Sequence, residues 1–266
     1  TSNAFIEDGV VTPQEIGEMW DELDKAVSAE SKRAVAEFEP KTAELISGLV
    51  YTYDFEKCQE TWKKFRDACQ IDRAAKYKEF HEKGYFTTPE LPENTGPMTM
   101  RFAINYTLFD LFMLSEDVLM FGEDVADFSG HMIEELEKQA KLKGKGGVFL
   151  VSKNLQREFG NHRSFNTPLD EAGILGRASG HALQGRRPIP EIQFLDYMSP
   201  AYQVLKDRIA TTYQRSGGQW RMPMVIRTTY GGYKQGAGAF WHSEGNLGTW
   251  MNIPSLLIAV PSNARD

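Results

Sequence analysis

The chain has 266 residues, a formal net charge of −7 and a sequence pI near 5.4. A chain of this length buries a sizeable core and exceeds the usual single-domain length, which predicts one large unit with an accessory segment. The acidic balance argues against nucleic acid and acidic membrane surfaces as partners, because binding phosphate groups requires clustered Lys and Arg. Small molecules or proteins are therefore the expected partners.

The apolar runs and the cysteines bear on the compartment. No apolar run approaches the roughly 20 residues of a membrane span, and no signal peptide opens the chain. Cys58 and Cys69 are eleven residues apart, a spacing that suits neither a bridge within the predicted helix nor a metal cluster. We therefore expect a protein that is cytoplasmic or lies in an organelle matrix, with no membrane partner. The sequence stops just after an apolar strand, so we also expect a fragment.

The first 86 residues are rich in charge and in helical patterns. Thr12, Pro13 and Glu15 form a capping box with proline at the first helical position, which predicts the start of a long helix. The helix is amphipathic, with apolar residues recurring on one face, namely Ile16, Trp20, Leu23 and Val27. We predict a helical arm over residues 1–86 and, from its proline-rich composition, a linker over residues 87–97.

Beyond the linker, predicted strands alternate with helices. Helix "MRFAINYTLFDLFML" precedes strand "VLMFG", and later helices precede strands in "HRSFN", "RPIPEIQF", "MPMVIRTT" and "SLLIAV". This alternation predicts an α/β domain over residues 98–266, built on a mostly parallel sheet with helices on both faces. Residues 131–147, between the first two strands, have the composition of a polar insertion.

Parallel sheets bind ligands outside the carboxyl ends of their strands, and four polar segments follow predicted strands here. These segments are "GEDV", "TPLDE", "LDY" and the glycine-rich "TTYGGYKQGAGAFWHSE". In the second segment, Thr167 as N-cap and Pro168 at the first helical position would place Asp170 third, where it completes a capping box. Glu171 is left without a structural role, and a carboxylate packed against small residues needs a partner.

The other candidates have structural alternatives. Glu123 can cap a turn or line the crevice, Tyr197 can be an interior aromatic residue, and His242 can be an exposed loop residue. The glycine-rich loop lacks both the P-loop and the dinucleotide-binding pattern. The sequence also lacks zinc-ligand spacing and the Gly-Asp-Gly…Asn signature for holding a diphosphate through Mg.

Together these segments resemble the β subunit of the thiamine-diphosphate-dependent first component of 2-oxo acid dehydrogenase complexes, which include pyruvate and branched-chain (2-oxoisovalerate) dehydrogenases. The resemblance runs from about Met98 to Asp266. Residues 10–40 are similar to the tail of the α subunit, so we expect a natural α–β fusion of which this chain carries the α tail, the junction and the pyrimidine-binding domain. The implied fold is the transketolase pyrimidine-domain type. The segments that carry the resemblance are "MRFAIN", "FGEDV", "NTPLDEAGILG", "GRRPIPEIQFLDYMSPAYQ" and "MPMVIRTTYGG".

The resemblance implies roles for individual residues. Glu171 matches the glutamate that hydrogen-bonds a ring nitrogen of the aminopyrimidine, and so favours the tautomer that removes the thiazolium proton. Tyr197 matches the aromatic residue that stacks on the pyrimidine, with Gln193 and Leu169 nearby. His242 matches a loop histidine that meets the substrate or the lipoyl group as an acid or charge stabiliser.

Glu123 matches an acidic residue in a polar channel between two active sites. The sequence departs from the family pattern at Asn166, where Asp is usual, at Asp170, where a small residue is usual, and at "HSE", where "HSQ" is commoner. The segment "EIQFLDY" is nearer the branched-chain type. No metal ligand is expected in this chain, so Mg would come from a domain absent from it.

The implied activity is decarboxylation of a 2-oxo acid and reductive acylation of the lipoyl domain of the acyltransferase component, by a homo-oligomer of the full fused chain. The isolated chain is expected to bind thiamine diphosphate weakly or not at all, and to be inactive. Two alternatives stay open at this point. One is another thiamine-diphosphate enzyme, such as a transketolase or deoxyxylulose-phosphate synthase, and the other is a non-catalytic assembly module.

Overall fold

The computed structural model describes residues 2–36, 54–68, 71–127, 145–232, 238 and 241–264. The chain divides into two compact units, residues 1–48 and 49–266. Most of the predicted insertion at 131–147, and Cys69, lie outside the described residues.

The first unit contains helices α1 (Ser2–Glu7) and α2 (Pro13–Ala36). The predicted capping box is confirmed, since the backbone N–H of Thr12 donates to the Glu15 carboxylate at 2.7 Å and the N–H of Glu15 donates to the Thr12 hydroxyl at 3.2 Å. The bond from the Thr12 backbone, followed by the one from its side chain, lowers the pKa of Glu15. No residue of α2 is buried.

The second unit is built on a four-stranded sheet in the order β2-β1-β3-β4, with all neighbouring pairs parallel. The strands are β1 (Val118–Gly122), β2 (Ser164–Asn166), β3 (Arg187–Ile192) and β4 (Arg227–Thr228). The α-helices are α3 (Phe55–Ala68), α4 (Arg73–Glu82), α5 (Met100–Leu114), α6 (Leu155–Phe159), α7 (Glu171–Leu183), α8 (Thr212–Arg215) and α9 (Gly248–Met251). The predicted α/β class with a parallel sheet is confirmed.

Strand β1 is buried along its whole length because helices cover both faces of the sheet. Val118 and Met120 lie in one apolar core together with side chains of α4, α5 and α6. Leu119 and Phe121 lie in a second core with side chains of α7. Alternate side chains of a strand point to opposite faces, so this division accounts for the unbroken apolar run "VLMFG".

Two predicted elements differ from the structure. The helix expected before strand "MPMVIRTT" is divided into a 3-10 helix (Leu195–Ala201), a π-helix (Val204–Ala210) and the short α8, and Pro200 lies inside the first of these pieces. Strand "MPMVIRTT" is reduced to β4, and the described residues of "SLLIAV" form no strand. A strand requires a neighbour to take its backbone hydrogen bonds, and among the described residues β4 has one on its β3 side only.

The boundary between the two compact units, after residue 48, does not fall at the predicted linker over residues 87–97. In α4, Tyr77 and Phe80 are fully buried and pack with Phe86 in the core that α5 also lines. Arg73 at the start of α4 binds the Asp110 carboxylate of α5 at 2.7 Å. Helix α4 is therefore part of the α/β unit. The division into an arm similar to the α subunit (1–86), a linker (87–97) and a pyrimidine-binding domain (98–266) stays a prediction.

Candidate active site

The carboxyl ends of β1 and β3 bring two predicted site residues together. Glu123 follows β1 and Gln193 follows β3, and the Gln193 side-chain amide donates to the backbone carbonyl of Glu123 at 3.2 Å. The strands approach closely here because Gly122 has no side chain, and a Cβ at this position would collide with the backbone carbonyl of Glu191. The sheet itself therefore sets the separation of the Glu123 and Gln193 loops.

Glu171 is the first residue of α7, and Asp170 is its N-cap. The Asp170 carboxylate accepts a hydrogen bond from the N–H of Gly173 at 3.0 Å. The predicted cap at Thr167 is wrong, because α7 begins at Glu171 with Asp170 as its N-cap. Thr167 instead continues the β2 ladder, and its N–H donates to the carbonyl of Gly122 at 3.0 Å. Asp170 is thus a capping residue, as expected, but in the N-cap position and not the third position. The half-buried Glu171 carboxylate lies where the helix dipole favours negative charge.

Replacing Asp170 by Ala should destabilise the chain by about 1 kcal/mol, because an N–H of the first turn loses its acceptor. Urea denaturation of the 266-residue chain measures the change. Asp170→Asn, which keeps an acceptor, should stay within about 0.5 kcal/mol of the unmodified chain, as should Asp207→Ala at an exposed position. Equal stabilities of the Ala and Asn variants would contradict the capping role.

Three acidic side chains contribute to the electrostatic environment of Tyr197. Burial raises the pKa of Tyr197, and the negative charges of Asp196, Glu123 and Glu171 raise it further. Burial likewise raises the pKa of Glu123, with additional contributions from Asp124 and Glu171. Residues from the segment after β1, from α7 and from the segment after β3 therefore share one electrostatic environment.

Tyr197 and His242 are hydrogen-bonded to each other. The Tyr197 hydroxyl lies 2.7 Å from Nε2 of His242, and Nδ1 of the same ring lies 3.3 Å from the carbonyl oxygen of Gly238. Phe194 packs edge-to-face on the His242 ring at a centroid distance of 4.6 Å. The glycine-rich loop is thereby joined to the segment after β3.

The structure brings Glu123, Glu171, Gln193, Tyr197 and His242 to one edge of the sheet. Leu169 lies two residues before Glu171 and is 71% exposed, so it is adjacent to the cluster along the chain.

Sequence reasoning missed Asp196 and the pair Glu191 and Arg227. The Asp196 carboxylate accepts the N–H of Glu244 at 3.2 Å, which ties the His242 loop to the Tyr197 segment. Glu191 in β3 is 2% exposed and pairs with Arg227 of β4. Burial raises the pKa of Glu191, and Arg227 opposes that rise. Glu191 is a charged residue inside the largely apolar segment "RPIPEIQF", and this position could have indicated a buried ion pair.

Other parts of the described chain offer weaker sites. A cavity of about 480 Å³ lies at the opposite, amino end of the strands and is lined by charged residues that include Glu116, Arg163 and Arg186. The guanidinium group of Arg163 is already bonded to the carbonyls of Phe112, Ser115 and Val118. The carboxyl edge is the better candidate because acidic, phenolic and imidazole groups converge there.

In the described part of the chain, no helix is long and apolar enough to cross a membrane. Within the same residues, no three His, Cys, Asp or Glu side chains are grouped so that they could hold a metal ion.

Comparison with known proteins places this arrangement in a family. The sequence model of the transketolase pyrimidine-binding domain matches residues 96–266. The β subunit of the pyruvate dehydrogenase E1 component from Staphylococcus epidermidis is 39% identical over 169 residues, which make up 64% of this chain and 46% of that protein. Its counterpart from Staphylococcus aureus is 37% identical over the same shares.

The chain spans about half the length of the curated relatives it matches. The resemblance to the β subunit of a 2-oxo acid dehydrogenase component is confirmed as a similarity, while the α–β fusion stays a prediction. Because the family match covers more than half of the chain, this chain belongs to the transketolase pyrimidine-binding domain family.

Proposed function

We propose that the chain provides the pyrimidine-binding part of a thiamine diphosphate site in a 2-oxo acid dehydrogenase. The observation that carries the proposal is the half-buried Glu171 carboxylate at the first position of α7, in the same electrostatic environment as Tyr197 and Glu123. Similarity to E1 β subunits of pyruvate dehydrogenase supports the reaction class.

The residues fit an aminopyrimidine ring. Glu171 offers an acceptor for a ring N–H, and such a charge-assisted hydrogen bond is worth about 1.5 to 3 kcal/mol. Tyr197 offers an aromatic face for stacking, and the exposed Leu169 offers an apolar contact beside Glu171. The buried hydroxyls of Thr167, Thr229 and Ser243 have no hydrogen-bond partner in the described structure, so polar groups remain to be satisfied in these segments.

Bound at this site, thiamine diphosphate would supply the nucleophile and the electron sink for decarboxylation of a 2-oxo acid. Glu171 would hold the ring in the reactive tautomer, with Gln193 fixing the backbone at Glu123. His242 would meet the substrate or the lipoyl group, and Glu123 would carry charge between sites. No cluster of described residues suits Mg, so we propose that another domain binds the diphosphate and its metal ion.

The proposal extends to the whole protein. It decarboxylates a 2-oxo acid, pyruvate or a branched-chain one, and transfers the acyl group to the lipoyl domain of an acyltransferase. It works as a homo-oligomer of a fused α–β chain in the cytoplasm. The E1 β similarity supports this assignment over a transketolase or deoxyxylulose-phosphate synthase.

Calorimetry and substrate assays on the full-length protein test the proposal. With Mg present, we expect thiamine diphosphate to bind the full-length protein and to bind the 266-residue chain at least 100-fold more weakly. Pyruvate or 2-oxoisovalerate should be decarboxylated and should acylate a lipoyl domain. Turnover of sugar phosphates instead would assign the protein to the transketolase type. No cofactor binding by the full-length protein would favour a non-catalytic assembly module.

A further inference from the structure

The surroundings of His242 determine which of its ring nitrogens carries the proton. A backbone carbonyl only accepts hydrogen bonds, so Nδ1, 3.3 Å from the Gly238 oxygen, must be the protonated nitrogen. Neutral imidazole has a single N–H, which leaves a lone pair on Nε2. The Tyr197 hydroxyl, 2.7 Å away, therefore donates to Nε2. Burial and the acidic groups around Tyr197 raise its pKa and so keep the phenol protonated as a donor.

The contact between the Gly238 carbonyl and the His242 ring requires glycine at position 238. A Cβ at position 238 would collide with Cβ and Cγ of His242. A side chain at this position would therefore push the imidazole away from the Gly238 carbonyl. Phe194 contacts the ring edge-to-face, with an interplanar angle of 87°. The ring is thus held by a backbone acceptor, a phenol donor and an aromatic contact.

The backbone around His242 is fixed to the same segment. The N–H of Glu244, two residues after His242, donates to the Asp196 carboxylate, which is next to Tyr197 in the chain. The carbonyl of Glu244 accepts from the N–H of Gly231 at 3.0 Å. The backbone just after His242 is therefore held at Glu244 by both the Tyr197 segment and the start of the glycine-rich loop.

We propose that Tyr197 is a positioning residue for His242, whose imidazole it holds, together with the Gly238 carbonyl, as the Nδ1–H tautomer. Nε2 is then the proton acceptor of the ring, and in the resting structure it accepts from the Tyr197 hydroxyl. A substrate hydroxyl or thiol that uses this nitrogen must replace the Tyr197 hydroxyl. This role is additional to stacking by the Tyr197 ring. Its importance for catalysis rests on the proposed function.

Long-range proton–nitrogen NMR of the 266-residue chain tests the tautomer without any activity measurement. The chain has five histidines, and His242→Gln identifies the signal of interest. At a pH of about 8.5, where imidazoles are neutral, we expect the Nδ1–H pattern for His242. Tyr197→Phe should shift the population toward Nε2–H, the form that free imidazole prefers. Tyr202→Phe is the matched control, since Tyr202 packs on Trp250 in the same core, and it should leave the signal unchanged.

An Nε2–H pattern in the unmodified chain would overturn the proposal, as would an unchanged pattern in Tyr197→Phe. In the full-length enzyme, Tyr197→Phe should keep thiamine diphosphate affinity within about twofold, because the ring remains. It should lower kcat about 10-fold, because a roughly tenfold smaller share of His242 would then be in the Nδ1–H form that accepts a proton at Nε2. Unchanged kcat would also overturn the proposal. Absence of 2-oxo acid turnover in the unmodified enzyme would instead remove the proposed function and leave the NMR result standing.

Discussion

Replacing Glu171 by Gln in the full-length enzyme should lower turnover of a 2-oxo acid by about 10²- to 10³-fold. The amide has nearly the shape of the carboxylate, but it carries no charge to stabilise the protonated ring nitrogen. Charge is especially effective in a half-buried position at a helix N-terminus, where water screens it poorly. The fold should be unaffected, since Asp170 provides the cap of α7.

The decarboxylation rate and the circular dichroism spectrum of purified Glu171→Gln check this expectation. Glu116→Gln is the matched control, because Glu116 is exposed and lies before β1, at the opposite end of the sheet. It should retain at least half of the normal rate. Near-normal decarboxylation by Glu171→Gln would remove Glu171 from the mechanism and would remove the main support for the proposed cofactor site.

Replacing Arg227 by Met should destabilise the 266-residue chain by about 3 kcal/mol and lower its Tm by about 6 to 12 °C. Arg227 is the partner of the Glu191 carboxylate, whose side chain is only 2% exposed. Removing the guanidinium leaves a buried charge that must either stay unpaired or take up a proton. Since β4 pairs with β3 at two positions only, loss of this bridge also loosens the segment that leads to His242.

Thermal and urea denaturation compare this variant with two others. Arg186→Met removes an exposed ion pair with Asp117, so it should cost less than about 1 kcal/mol. The double variant Glu191→Leu with Arg227→Met removes both charges, and it should recover at least half of the lost stability. If Arg227→Met were no more harmful than Arg186→Met, the buried pair would have no structural importance.

Local patterns in the sequence predicted the bounds of several helices and strands. β1 matched its predicted bounds because five successive buried residues form an unbroken apolar run. The start of α2 also matched, because a capping box is a local signal carried by Thr12 and Glu15. These features depend on neighbours in sequence, which is why the sequence alone reveals them.

Features that depend on distant residues were not predicted. Thr167 had the sequence pattern of a cap, but it continues the sheet by donating its N–H to the Gly122 carbonyl, and α7 begins only at Glu171. The role of Asp196 depends on a backbone N–H in a loop 48 residues away along the chain. Helix α4 was predicted as part of the helical arm, although its aromatic residues complete a core formed mainly by later segments. Only the folded chain shows such pairings.

The contact at Gly122 limits how this kind of site can change during evolution. The carbonyl of Glu191 occupies the space that any larger residue at position 122 would need. A substitution there would separate β1 from β3 and displace the loops at Glu123 and Gln193 at the same time. The geometry of the sheet therefore disfavours every substitution of Gly122. New specificities would have to arise in the loops that follow the strands, while the contact between β1 and β3 stays unchanged.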